Sequence, residues 1–437
     1  MDVIFLVLIT SMLLMFALII DKDILSPAAV FCESFLISLL VLSININEWD
    51  VNLSLETVVI LIIGFVVFLG TSLFCKRVFD KKSKNKEYKE NKLITVNKIC
   101  FNIMVIFSLI ISVLYVKSFY NSVGGFSNLS ELSRAINYYR ISTSYDLGDA
   151  SAIPTLITQL YKVLKVFAMI CIYIFINNYY YKKSNNIKKK FELKYIFPFI
   201  ILTPLTLLTG NRMELATLII AIVIIFNIMA HRYGYKLNIS TFRKYFILLI
   251  CAVCLLSFTK NITGRTSNSK GFEYVSIYFG APVELFDLYM KAPKTKSDFF
   301  GKETFWSLNN FIRRIQGKST YQIHLPAKET NGHLLGNVYT AYRNLYQDFG
   351  IIGLIFLVSL ESFVFSKMYY KIKNRDKNGV ISIYEIVYAL MIHVLFFFSF
   401  SEQFYNSVLS INYVILIVLF LIVRYFLTKV KIGGRKL

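Results

Sequence analysis

ITGRTSNSKGFEY (262–274) and FWSLNNFIRRIQGKSTYQIHLPAKETNGHLLGNVYTAYRNLYQDFG (305–350) belong to the one long segment, 261–349, in which the apolar rhythm of the chain breaks off. At Gly350 that rhythm resumes as IIGLIFLVSLESFVF (351–365). Upstream, similar greasy runs recur from residue 3 onward. A polar segment with clustered cations, held between hydrophobic runs, is where a membrane protein can act on a charged, membrane-bound substrate.

Of 437 residues, 56% are hydrophobic and 17% charged, with a mean hydropathy of +0.57. Soluble domains carry roughly a quarter charged residues and do not repeat apolar runs of about 20 residues. The chain therefore reads as an all-α, polytopic membrane protein without a second soluble domain. Hydropathy gives about eleven spans, near 3–20, 27–46, 55–75, 99–120, 154–178, 195–209, 213–230, 245–260, 349–370, 383–400 and 407–427. The first lacks a basic flank and a small-residue cleavage site, and reads as a retained span.

The formal charge of +22 lies largely in short loops: 76–92, 182–194, 231–244, 371–379 and the tail from Lys429. Under this count they share one side, which the positive-inside rule makes cytoplasmic. Loops 121–153 and 261–348 then lie outside, with the C-terminus inside. The same distribution argues against nucleic acid as a partner and for membrane lipids. The stretch 271–290 carries Glu273, Glu284 and Asp287, and reads as a helix lying along the outer leaflet.

The six cysteines sit in or beside apolar runs and form no disulfide framework. No HExxH, carboxylate cage, Walker loop or GxSxG elbow occurs, so neither a metal nor another cofactor is expected.

Four constellations remain. In Thr209-Gly-Asn-Arg-Met-Glu214, Asn211 and Glu214 fit a capping box. Arg212 does not, since a cation in the first turn opposes the helix dipole. It makes sense beside a bound anion, or as a snorkelling interfacial arginine. In the smaller outer loop, Arg134, Tyr138, Tyr139 and Arg140 bring guanidiniums near aromatic faces, suited to phosphate and sugar or to the headgroup belt. In the larger loop, Arg265, Arg313, Arg314 and Arg343 want partners, some of which are ordinary ion pairs with Glu303, Glu329 or Asp348. His324 and His333 are candidate proton acceptors or plain solvated loop residues. In the fourth, Asp348 can cap the next span, while Gly350 and Gly353 permit close helix approach.

GNVYTAYRNLYQDFGIIG (336–353), entering a span after a long outer loop, resembles the signature of Wzy-type oligosaccharide repeat-unit polymerases, and the Gly-Asn-Arg212 turn resembles that family's hairpin between two spans. The order of spans and outer loops agrees along nearly the whole chain, although paired Arg-x10-Gly motifs reported for some relatives are not found. The resemblance implies a GT-C-like membrane fold in the bacterial cytoplasmic membrane, with the two outer loops forming an active-site cap. It implies transfer of a growing glycan from undecaprenyl pyrophosphate to a new lipid-linked repeat unit, without a metal and with a chain-length regulator as a partner. On that reading Arg212, Arg265 and Arg343, with Arg140 and Arg313 behind them, meet pyrophosphate. His333, then His324 and Asp348, serve as base, and Tyr339, Tyr342 and Tyr346 stack on sugar or the lipid neck. O-antigen ligase and a lipid-linked oligosaccharide flippase are the rival readings.

Overall fold

A computed structural model describes residues 2–80, 92–145, 148–187, 192–235, 272–293, 297–375 and 379–430. The expected span 245–260 and Arg265 lie outside the described residues. Of the described residues, 73% are helical. Among the described residues, eight helices are long and apolar enough to cross a membrane: α1 (Asp2–Asp21), α2 (Pro27–Ile44), α3 (Leu55–Phe79), α4 (Lys98–Ser122), α6 (Thr155–Ser184), α8 (Arg212–Arg232), α12 (Ala341–Lys373) and α15 (Ile411–Lys429). Shorter helices are α5 (Leu129–Tyr145), α7 (Phe197–Leu208), α9 (Phe272–Phe279), α10 (Ala281–Lys291), α11 (Trp306–Ile315), α13 (Ile383–Met391) and α14 (His393–Phe396).

Two expected spans come out differently. The run at 195–209 yields the 12-residue α7, with Pro204 inside it; at about 1.5 Å per residue such a helix falls short of a hydrocarbon core about 30 Å thick. The run at 383–400 is divided into α13 and α14 with turns beyond, a break that nothing in residues 391–393 explains.

The chain forms two compact units, interleaved along the sequence. The first comprises Met1–Lys84, Asn268–Arg375 and Met391–Tyr413. Its core is α2, started by Ser26, whose side chain accepts from the Ala29 N–H, and by Pro27 in the first helical position. Phe31 stacks on Phe68 at 4.0 Å between ring centres and meets Phe398 edge-on at 5.0 Å. Alongside, α3 and α12 approach through small residues: Ser362 donates to the Phe68 carbonyl (2.7 Å) and Ser366 to Ser72 (3.0 Å).

The stretch expected on the outer leaflet belongs to this unit and lies inside it. Pro282 cannot continue a helix from the preceding turn, so 271–290 becomes α9 and α10 around Gly280, whose Cα side faces the α2 backbone at Leu42. Glu284 and Asp287 turn inward rather than toward headgroups, while Glu273 is exposed. Asp287, fully buried, accepts from the Ser54 N–H and hydroxyl (2.8 Å each) at the start of α3 and pairs with Lys291 at 2.6 Å. A helix N-terminus needs such an acceptor, which explains why a carboxylate stands at Asp287.

The same unit carries an exception to the all-α expectation, a hairpin of β1 (Lys328–Thr330) and β2 (His333–Gly336). Its loop, Asn331-Gly332, has φ of 46° and 77°, the positive pair that a two-residue hairpin turn requires.

The second unit comprises Asn85–Ser267, Asp376–Leu390 and Val414–Leu437. Its axis is α6, buried at nearly every position from Leu164 to Ile176. Asn178 clasps the extended stretch before α4, accepting from the Ile94 N–H and donating to the Ile94 carbonyl, each at 2.9 Å. Glu385, fully buried, pairs with Arg232 and accepts from the Tyr173 hydroxyl at 2.7 Å.

Candidate functional site

Within the second unit, two stretches read separately in the sequence come together. Gly210 takes φ of 69°, the left-handed conformation that glycine adopts without a side-chain penalty. This turn lets Asn211 accept from the Met213 N–H (3.2 Å) and start α8 at Arg212, which is buried. Arg140, from α5, lays its stem across the same turn. A Cβ on Gly210 would sit 3.0 Å from its Cβ and 3.2 Å from its Cδ. The Arg140 guanidinium donates to Asn137 at 2.9 Å.

Half of the expected capping box is present. Asn211 caps, but Glu214 turns to Lys165 of α6 at 2.9 Å. Arg140, Arg212 and Lys165 are thus gathered around the start of α8, where the helix dipole already favours an anion. The tyrosines of α5 serve its own fold: the Tyr138 hydroxyl accepts from the Asp149 N–H (3.0 Å) and Tyr139 from that of Ile153 (3.2 Å).

Within the first unit, Arg343 lies in the first turn of α12, buried and ion-paired with Glu303. Its guanidinium sits 5.1 Å from the centre of the Tyr289 ring and 5.6 Å from that of Tyr339, a cation between two π-faces. Burial pushes the Tyr289 phenol up to about 12 despite that neighbouring charge, so it remains a hydrogen-bond donor, here to Gln347 at 2.7 Å. Tyr339 is raised by burial too, and donates to the Pro326 carbonyl at 2.8 Å.

The remaining sequence candidates scatter around this frame. Asp348 does not cap the following helix. Its carboxylate accepts from the Ser297 hydroxyl (2.5 Å) and from the N–H groups of Glu303 (3.0 Å) and Thr304 (2.7 Å), anchoring the loop that carries Glu303. Tyr342 is fully buried between Phe35 and Phe398 and offers no face to a sugar. The Tyr346 hydroxyl donates to Glu56 at 3.1 Å. His333 opens β2 with Nε2 3.8 Å from Glu48, while His324 is exposed. Arg313 closes its own turn by donating to the Ser319 carbonyl at 2.7 Å.

The sequence did not single out Lys165 or Tyr289, whereas Glu303 was one of three carboxylates expected to pair with the outer arginines, and Arg343 takes it. Charge inside the α6 run was the available signal for Lys165; nothing local marks Tyr289. No protein-family model, curated protein or solved structure matches this chain.

Proposed function

We propose that the chain is a membrane glycosyltransferase of the Wzy type, joining lipid-linked oligosaccharide repeat units while their carrier is still attached. The proposal carries with it a GT-C-like arrangement of about eleven spans, residence in the bacterial cytoplasmic membrane, an active face outward and a C-terminus inside. The observation that supports it best is the Gly210 turn, which the Arg140 stem crosses just before Arg212 starts α8, with Lys165 paired to Glu214 of the same first turn. Such an arrangement suits a doubly phosphorylated headgroup, which arginine binds through paired N–H donors.

In the reaction proposed, the bond between the glycan's anomeric carbon and the pyrophosphate oxygen breaks. A bond from that carbon to a hydroxyl of the next repeat unit forms. The hydroxyl proton passes to a base, and the polyprenyl pyrophosphate leaves. Pyrophosphate leaves readily, so the demand falls on cations that stabilise the growing charge, which guanidiniums meet without a metal. His333 is the first choice for base, with the Glu48 carboxylate 3.8 Å from its Nε2. Asp348 recedes because its carboxylate is occupied by the 297–304 loop. Arg343, held between Tyr289 and Tyr339, would meet the second phosphate-bearing substrate or the sugars.

The test is purified protein in lipid vesicles with one synthetic lipid-linked repeat unit. A ladder of products supports polymerase, and a single transfer to another lipid supports ligase. Product of neither kind sinks both. The variant Arg212→Ala is expected to lose the ladder, by at least the hundredfold typical when a charge-stabilising donor is removed (about 10²–10³), while still reaching the membrane. An alanine variant that retains full activity removes Arg212 from the site.

Transport of the same lipid-linked oligosaccharide is the second reading, and Glu361 favours it. This residue of α12 is 1% exposed, and one of its carboxylate oxygens finds no hydrogen-bond partner among the described residues. Buried ionisable groups inside spans often line transport paths. Labelled lipid crossing the vesicle wall without elongation would select this reading.

A further inference from the structure

α11 is an amphipathic helix turned inside out. Its asparagines face the protein: Asn309 donates to the Gly301 carbonyl (3.0 Å), and Asn310 exchanges hydrogen bonds with the Tyr321 backbone (2.9 and 3.0 Å). Trp306 donates to the same Tyr321 carbonyl at 2.8 Å. Its apolar residues face away. Leu308, Ile312 and Ile315 recur at helical spacing along one stripe and are 38%, 42% and 71% exposed. Arg314 and Lys318, both exposed, flank the stripe. In water this face would be an aggregation hazard.

The stripe does not stand alone. Phe300, 77% exposed, packs at 5.0 Å against Phe349, and Phe305, just before α11, lies 5.9 Å from the same ring. Phe349 immediately precedes the Gly350 kink, beyond which Ile352 and Phe356 (80% and 66% exposed) begin the apolar outer surface of α12. The exposed face of α11 thus continues the surface of a helix built to cross a bilayer.

We infer that α11 lies in the interfacial layer of the membrane, with Phe300, Leu308, Ile312 and Ile315 among the acyl chains and Arg314 and Lys318 at anionic lipid phosphates. Apolar burial and attraction to anionic headgroups are the two terms that hold such a helix flat on a leaflet. The role first read into 271–290 passes to 306–315. This inference needs no assumption about the reaction: it stands if the chain proves to be a transporter.

The test uses the full chain in nanodiscs of phosphatidylglycerol and phosphatidylcholine, one chain per disc, with acyl chains brominated either near the carbonyls or near the methyl ends. Ile312→Trp is expected to add fluorescence, above the wild-type signal, that shallow bromine quenches several-fold more than deep bromine. An added signal quenched by neither overturns the inference, whether water or protein covers the face. A blue-shifted but unquenched signal would mean a protein partner or a second copy, and overturns it equally. Independently, Ile315→Asp is expected to raise tryptic cleavage at Arg313 and Arg314 in the discs several-fold. Unchanged cleavage counts against membrane attachment.

Discussion

At the scale of single residues, two positions lend themselves to direct tests. Gly210→Ala adds a methyl group where φ is 69° and the Arg140 stem is 3.0 Å away. The left-handed conformation alone costs about 1–2 kcal/mol for a residue with a Cβ, and Arg140 must also move. We expect a lower melting temperature in detergent and a loss of transfer activity exceeding what the melting shift explains. Glu284 is the second. Burial, reinforced by Asp287 and Asp50 and opposed by Lys291, raises its carboxyl from 4.5 to about 7, and its Oε2 lacks a hydrogen bond among the described residues. Because the folded state holds this proton more tightly than the unfolded chain, the stabilisation is complete below pH 4.5. It fades as pH climbs through about 7. The amount at stake is on the order of 3 kcal/mol. Glu284→Gln should therefore melt higher than wild type at alkaline pH and lose that advantage in acid, measured by thermal unfolding across pH. None of this was legible beforehand: the sequence showed Glu284 only as a charge spoiling an apolar run. Glu303 was readable as one of three carboxylates for the outer arginines, and Arg343 takes it, although no periodic signal singles out that pair.

Elements were easier to read than residues, because an apolar run long enough to cross a bilayer declares itself by composition. α1 to α4, α6, α8, α12 and α15 all follow that rule. Failures arose where tertiary contacts outweighed the run itself. The 271–290 stretch broke at Pro282 and buried Asp287, which accepts from Ser54 at the start of α3. The Asn331-Gly332 turn was a readable hairpin signal that went unused inside the long polar segment. Gly350 was read as a site of close helix approach, yet it takes φ of 62° and ψ of −161°, with nothing within 4 Å of where a Cβ would stand. Its role is conformational, in a region nearly confined to glycine. Gly350→Ala should thus cost about 1–3 kcal/mol through backbone strain alone and shift the first turn of α12, carrying Arg343 away from Tyr289. Thermal unfolding reads the cost. A melting temperature equal to wild type would show that the kink relaxes freely.

For the whole molecule, charge placement along the chain is the main legible feature. Basic loops at 182–194 and 371–379 and loops poor in Lys and Arg at 47–54 and 401–406 set an expected orientation. Single cysteines introduced between 300 and 345 should react with impermeant maleimide from outside intact cells. Reaction only after the membrane is opened would place this segment in the cytosol and remove the basis for the glycosyltransferase reading. What no linear reading offers is the interleaving of two units, each assembled from three stretches of chain. The serine contacts of α3 with α12 join positions 294 residues apart. During synthesis, therefore, α3 enters the bilayer long before its neighbour exists. Its small-residue seam must spend that interval against lipid or a helper protein, and a ribosome that stalls midway leaves that seam uncovered.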